Sequence, residues 1–377
     1  MVQAVEGQRA SVPVDPGAPA LRARALLRPG GVYAGSRAAV LAAFWLAIKL
    51  VPEQAKTHAF LAWDSGLYVQ LIEHPYLSDP PDRGVYAFFP LFPLLAHALT
   101  VVSGLGALEA GLVVGALAGL AAAVLLWLLC RSLLGQEVAD RAVALFAFFP
   151  ASFVLSALYA EGVMIALSAA CLYALVRRQW LLAGVLAALG TASRPNAVAL
   201  IAACAWASLA AIATRREWRS LVAPVLAPLG AVGFFALLRA RTGSWHTWFD
   251  VEHDLWHERF TVLAMRDQWN YFWGAPFANT NTTAVWFGAV LGLVGLVLLV
   301  RARLPFVLTV YTVVVLVLAA CSETLGPRPR FVMTAFPLLF GYALHLRGAA
   351  FTAVLGISAA LLGGLALMTV STILFTP

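Results

Sequence analysis

Charge is what this chain has least of. Only 11% of its 377 residues are Asp, Glu, Lys or Arg, against about a quarter in an ordinary soluble domain. With 62% hydrophobic residues as well, it cannot clothe a water-exposed surface, which excludes a soluble globular enzyme. Lysine is nearly missing: 2 of the 25 basic residues are Lys and the rest Arg, a bias expected of a GC-rich bacterial genome. Cysteine is sparse, and Cys130, Cys171, Cys204 and Cys321 lack paired spacing, so neither a disulfide framework nor a zinc site is supported. No basic run carries the aromatic interleaving of a nucleic-acid surface, so the net charge of +7 belongs to membrane topology, with no nucleic-acid partner. No internal repeat is evident, which weakens a transporter built on inverted repeats. Residues 1–36 have no compact apolar core behind a basic cap. They read as a disordered cytoplasmic tail rather than a cleaved signal peptide.

What is abundant is apolar sequence. Mean hydropathy is +0.86, and runs long enough to cross a bilayer recur at 37–52, 107–130, 142–157, 162–176, 180–193, 197–214, 221–238, 284–300, 305–320, 331–346 and 350–374. The run 87–102 is ambiguous, and counting it as a span inverts everything after it. Cytoplasmic loops collect basic residues. If 87–102 does not cross, the loops carrying Arg131, Arg141, Arg177, Arg178, Arg215, Arg216, Arg219, Arg301, Arg303 and Arg347 all fall on the side of the N-terminal tail. The expectation is an all-α polytopic bundle of about eleven transmembrane helices with a cytoplasmic N-terminus. Residues 87–102 then lie along the outer face, and residues 53–106 and 241–283 form outer loops.

This topology sends thirteen of the eighteen acidic residues to or near the outer face. Folding a bundle does not require that segregation, and it suggests a site at the outer membrane–water boundary. Its densest part is 62–93, where Asp64, Glu73, Asp79 and Asp82 alternate with Trp63, Tyr68, Tyr76 and Tyr86. Asp64-Ser65-Gly66 reads as a helix start, and Leu67, Tyr68, Leu71 and Ile72 give the helix an amphipathic face suited to a membrane surface. Pro75, Pro80 and Pro81 end it. Asp64 is either a plain N-cap or a reactive carboxylate, and the Trp and Tyr residues either an interfacial belt or part of a site.

Other polar residues fall at span ends, where such groups are commonly functional or paired. Glu161, after Tyr159, sits at the mouth of two spans. Arg194, ahead of a helix-breaking Pro195, is either a bidentate phosphate ligand or a snorkelling anchor. Arg328 and Arg330 defy the charge rule on the outer side, which points to an anionic partner such as a lipid phosphate. The loop 241–283 holds Trp245, His246, Trp248, Asp250, Glu252, His253, Asp254, Trp256, His257 and Glu258. Its HDLWH lacks the Glu of the HExxH zinc motif, so it reads mainly as an aromatic and polar interfacial loop.

Five stretches in order, WDSGLY, YAFFPLFPLL, FFPASFVLSALYAEG, SRPN and PRPRFVMTAFPLLF, resemble the PIG-V family. This is the family of the second mannosyltransferase of GPI-anchor synthesis, with bacterial relatives, within the GT-C superfamily of integral-membrane glycosyltransferases. The resemblance covers about residues 40–347. It implies a polyprenyl-phosphate-mannose donor and a catalytic carboxylate in the first outer loop, which by position is Asp64. It also places Glu161 as the acidic residue of the second outer loop, Arg194 with Asn196 as the Arg-x-Asn element, and Arg330 as the late Arg before an aromatic. The chain departs from the family pattern at Ala62, at Ala197 and in HPYL at 74–77.

The chemistry fits independently. A lipid phosphate leaves without needing a proton, so one carboxylate to accept the acceptor's proton suffices, where glycosidases use two. Fixed cations such as Arg194 and Arg330 would stabilise charge on the departing phosphate. The expected site is thus Asp64 and Glu161 as catalytic residues, with Trp63, Tyr68, Tyr159, Arg194, Asn196, Arg328 and Arg330 binding substrate. No metal or other cofactor is expected, though a divalent ion at Glu161 stays open. The acceptor is a glycan, lipid or protein. Rival readings are a lipid-linked-sugar flippase, which needs the arginines but not the carboxylates, and a GT-C enzyme using another sugar.

Overall fold

A computed structural model describes residues 23–50, 64–259, 261–274, 280–323 and 328–371. Every regular element among the described residues is a helix. Helix α1 spans Ala23–Leu50, α2 Ser65–Glu73, α3 Leu91–Ser103, α4 Ala107–Leu134, α5 Gln136–Ala147, α6 Glu161–Val176, α7 Trp180–Thr191, α8 Ala199–Arg215 and α9 Val222–Leu226. They are followed by α10 Leu229–Thr242, α11 Thr247–Asp254, α12 Val262–Gly274, α13 Thr280–Arg301, α14 Phe306–Cys321, α15 Pro329–Thr334, α16 Leu338–His345 and α17 Gly348–Ser371. Among the described residues six stretches are long and apolar enough to cross a membrane, and four shorter apolar helices accompany them, α3 among them. The chain is a multi-pass helical membrane protein.

Three expectations need correction. The tail was read as unstructured to residue 36, but α1 begins at Ala23, because LRPGGVY continues the apolar stripe and buries Tyr33 and Ser36. Residues 1–22 lie outside the described residues. The run 142–157 is not one span. Helix α5 stops after 12 residues, since Pro150 disfavours helical backbone just before it, and Ser152–Ser156 continues as a 3₁₀ turn. The carbonyls freed by this break are met from α1: the buried Arg37 guanidinium donates to the oxygens of Ala147 at 2.9 Å and Ser152. The run 331–346 likewise divides into α15 and α16 at Ala335–Pro337.

Contacts sort the helix ends into two sets. At one end Arg28 and Trp127 meet Asp140 at 3.3 and 2.7 Å. Arg141 donates to the oxygen of Ala343 at 2.8 Å, and Arg178 and Trp180 meet Glu217. The basic turns are here. The helices that leave this end arrive at Asp64, Glu161, Arg194 and Arg330, which are gathered at the other. Helix α3 has 13 residues, so it extends about 20 Å, less than a hydrocarbon thickness of about 30 Å. Its first amide is anchored by Leu91 N–H donating to Ala192 O at 2.9 Å, and His97 meets the oxygen of Ile72 at 2.7 Å.

Two apolar cores hold the fold. The larger runs through α4, α5, α6 and α8 around Trp127, Phe146 and Leu172. The smaller joins the polar loops to α10 through Tyr76, Tyr86, Phe89, Phe234 and Trp248. Its strands of irregular chain are fixed by side-chain bonds to backbone. Tyr76 donates to Phe88 O at 2.7 Å, Tyr86 to Leu77 O at 2.6 Å and Trp248 Nε1 to Ala87 O at 3.1 Å. The amphipathic face foreseen for α2 is real, but Tyr68, Leu71 and Ile72 bury it against the protein rather than lipid.

Candidate active site

Asp64 precedes α2, and its backbone oxygen accepts from Leu67 and Tyr68, both at 3.1 Å. Its side chain makes no capping bond. The carboxylate is therefore not spent on the helix, which removes the plain N-cap reading. It turns instead toward Arg330, with Oδ2 3.9 Å from Nη1. Arg330 arrives from α15, whose Pro329 at the first helical position sets the chain direction. Its guanidinium carbon lies 5.4 Å over the Tyr159 ring.

Glu161 opens α6 and is completely buried. One oxygen lies 2.9 Å from Arg194 Nη1 and the other 3.9 Å from Arg330 Nε. Neither contact is a hydrogen bond, and both Glu161 oxygens lack a hydrogen-bond partner. A buried carboxylate between two guanidiniums is stabilised chiefly by charge. Arg194 is extended, at φ −160° and ψ 153°, because Pro195 follows it. Asn196 donates to Thr334 Oγ1 at 3.0 Å, tying the SRPN turn to α15.

These groups surround a cavity of about 490 Å³. Asp64, Tyr68, Tyr159, Arg194, Asn196, Arg328 and Arg330 all line it. Seven residues distant in sequence thus meet in one space. Glu161 does not line it: it sits beneath the wall and supports the two arginines, a correction to its expected place among groups facing substrate. Trp63 lies outside the described residues. Arg241 and Arg266 are exposed and away from the cavity. Among the described residues no group of three or more His, Cys, Asp or Glu is placed to hold a metal ion, and His253 instead contacts Asp254 and Arg259 at 2.8 Å each.

The second wall comes from the loop between α10 and α12. Trp248, Glu252, Trp256 and Glu258 line the cavity with Phe88 and Phe235. Glu258 is 4% exposed and accepts from Ser322 Oγ at 2.9 Å and Glu323 N–H at 2.8 Å. Sequence reading grouped these loop residues but gave them no place in a site. The signal was there, as two carboxylates beside two tryptophans, but it was indistinguishable from an interfacial belt.

The electrostatics follow from burial. Loss of water pushes the Asp64 carboxyl above the ordinary range; Arg330 and Arg194 pull it back in part, and Glu161 adds to the rise. Glu252 is raised to about 8 by burial, then by Glu258 and Asp64, with Arg194 opposing. Burial lowers Arg328 to about 10, helped by the like charge of Arg330 and opposed by Glu258. A carboxylate beside a cluster of fixed cations, at the mouth of a membrane bundle, is equipped to remove a proton next to a bound anion.

A family model for dolichyl-phosphate-mannose-protein mannosyltransferase matches residues 81–239. No curated protein matches the chain in sequence. Among solved structures, ArnT from Cupriavidus metallidurans bound to undecaprenyl phosphate is similar with a TM-score of 0.51 and 14% identity, over 88% of this chain and 63% of that one. Its apo state gives 0.52 and 14%, over 87% and 62%. The apo oligosaccharyltransferase of Archaeoglobus fulgidus gives 0.49 and 14%, over 91% and 56%. The chain therefore spans between 56% and 63% of the length of these structures. Its fold is that of the ArnT structures.

Proposed function

We propose that this protein is a multi-pass membrane glycosyltransferase that transfers a mannosyl group from a polyprenyl-phosphate donor to an acceptor hydroxyl. The observation that carries this reading is the convergence of an uncapped Asp64 with Arg194, Arg328 and Arg330 on one cavity. Asp64 accepts the proton of the acceptor hydroxyl, whose oxygen attacks the anomeric carbon. The bond to the phosphate oxygen breaks, and the lipid phosphate leaves with the electron pair. The arginines hold that phosphate and stabilise its growing charge. A raised Asp64 pKa brings the base nearer neutral pH, where a general base is most effective. Glu161 orients Arg194 and Arg330 without touching substrate. The family match over residues 81–239 and the undecaprenyl phosphate bound by the similar ArnT support a lipid-phosphate donor.

The basic turns at the far end of the bundle support a cytoplasmic N-terminus and an active site on the extracytoplasmic face of the cell membrane. The PIG-V resemblance supports mannose as the sugar. The acceptor is a glycan, lipid or protein, to be identified by comparing glycolipids and glycoproteins of a deletion strain with its parent. A flippase needs no base, which gives a direct test. In liposomes with polyprenyl-phosphate-mannose, Asp64→Asn should cut the transfer rate about 10²- to 10⁴-fold, with donor binding near that of the parent protein. Undiminished turnover by this variant would remove Asp64 from the chemistry.

A further inference from the structure

The arginines do not account for the whole cavity. On both of its walls buried polar atoms have nothing to bond. The Trp256 indole N–H is buried and without a partner, as is the hydroxyl of Tyr159, itself 4% exposed. Asn196 uses its amide N–H₂ on Thr334, but its Oδ1 is buried and unmatched. Glu252 lines the same space, and its neighbour Glu258 is committed to Ser322 and Glu323. A buried, unmatched polar atom is costly to leave dry, so three such atoms around one cavity mark a place meant to be filled. The set holds both donors and acceptors, and the rings of Phe88 and Trp256 meet edge-on at 6.1 Å beside it.

We infer that these groups form a subsite for an uncharged, hydroxyl-rich sugar ring, with Glu252 as its specificity-determining residue. Hydroxyls both donate and accept, and so match Trp256 Nε1–H, Tyr159 OH and Asn196 Oδ1 together. Near neutral pH Glu252 holds its proton, because burial and the carboxylates of Glu258 and Asp64 outweigh Arg194. In that form it too can donate and accept. A ring bearing a carboxylate would meet the carboxylates of Asp64 and Glu258 in the same cavity and be repelled. This inference rests on the glycosyltransferase reading.

The test is lipid binding by the full-length protein in nanodiscs, for the parent, Glu252→Ala and Glu252→Gln. The probes are polyprenyl-phosphate-mannose, polyprenyl-phosphate-glucuronate and undecaprenyl phosphate, which has no sugar. Glu252→Ala should weaken the mannosyl lipid by about tenfold, the scale of one or two lost hydrogen bonds, and leave undecaprenyl phosphate within about twofold. Glu252→Gln should recover most of the loss, since an amide also donates and accepts. The glucuronosyl lipid should bind the parent protein less tightly than the mannosyl lipid. Equal losses for mannosyl and sugar-free lipids, or glucuronosyl binding as tight as mannosyl, would overturn the subsite while the donor-phosphate site stands. Failure of the parent protein to bind any of the three lipids would remove both readings.

Discussion

Glu161 is the residue whose role changed most between sequence and structure. The sequence places it in the chemistry through the family resemblance, as the acidic residue of the second outer loop. Its complete burial between two arginines makes it their counter-ion instead. Removing one partner of a buried charge set leaves the others uncompensated, which costs about 3–5 kcal/mol. Glu161→Ala should therefore lower the thermal unfolding temperature markedly as well as activity, while Asp64→Asn, which keeps the side-chain shape and removes only the charge at a partly open position, should spare stability. A scanning-fluorimetry comparison of the two variants checks this, and equal melting points for Glu161→Ala and the parent protein would contradict the buried-counter-ion role. Asp64 makes a second prediction. Its protonated form cannot accept a proton, and burial holds that proton to higher pH than usual. Transfer should accordingly be lost as pH falls through a midpoint above about 3.9, the ordinary value for Asp, and retained above it. Glu252 works in the opposite sense. Sugar binding should weaken as pH rises through about 8, and the dependence should vanish in Glu252→Gln.

Among the elements, the site depends on a close approach of α7 and α10. Gly230 of α10 has the Ala188 carbonyl and the Ala192 amide where a Cβ would stand, so no flexible side chain could move aside. Ala192 is also the residue whose oxygen anchors the start of α3. Gly230→Ala should thus separate the helices, cost at least about 1–3 kcal/mol as overpacking does, and shift the Arg194 turn with them. The readouts are a lower melting point together with weaker donor dependence of the rate. Helix type and most apolar segments were legible in the sequence, since hydropathy reports burial whatever the partner. The breaks were harder to see. Pro150 and Pro337 sit inside runs that hydropathy joins, and only tertiary partners such as Arg37 make it possible to leave backbone groups unpaired there. Likewise Glu252 and Trp256 share a loop with residues that face away, so spacing alone gave no reason to choose them.

For the whole molecule, the strongest sequence signal was the division of charge between two sides. It puts Asp64, Arg194 and Arg330 on one side, and in the structure the three line one cavity. Thiol labelling checks the orientation proposed from it. With Cys321→Ala as background, Ser103→Cys should react with an impermeant reagent from outside intact cells, and Thr214→Cys only after the membrane is opened. Labelling of the second site from outside would invert the topology. The cluster of arginines has a kinetic meaning as well. A sugar-bearing lipid phosphate is a diester with a single negative charge, whereas the spent lipid is a monoester carrying about −1.5 to −2 at neutral pH. Fixed cations that favour departure of the phosphate must also grip the spent lipid more firmly than the incoming one. Turnover should then be paced by escape of the lipid, visible as a rapid first round of transfer followed by a slower steady rate, and quickened by raising the salt concentration.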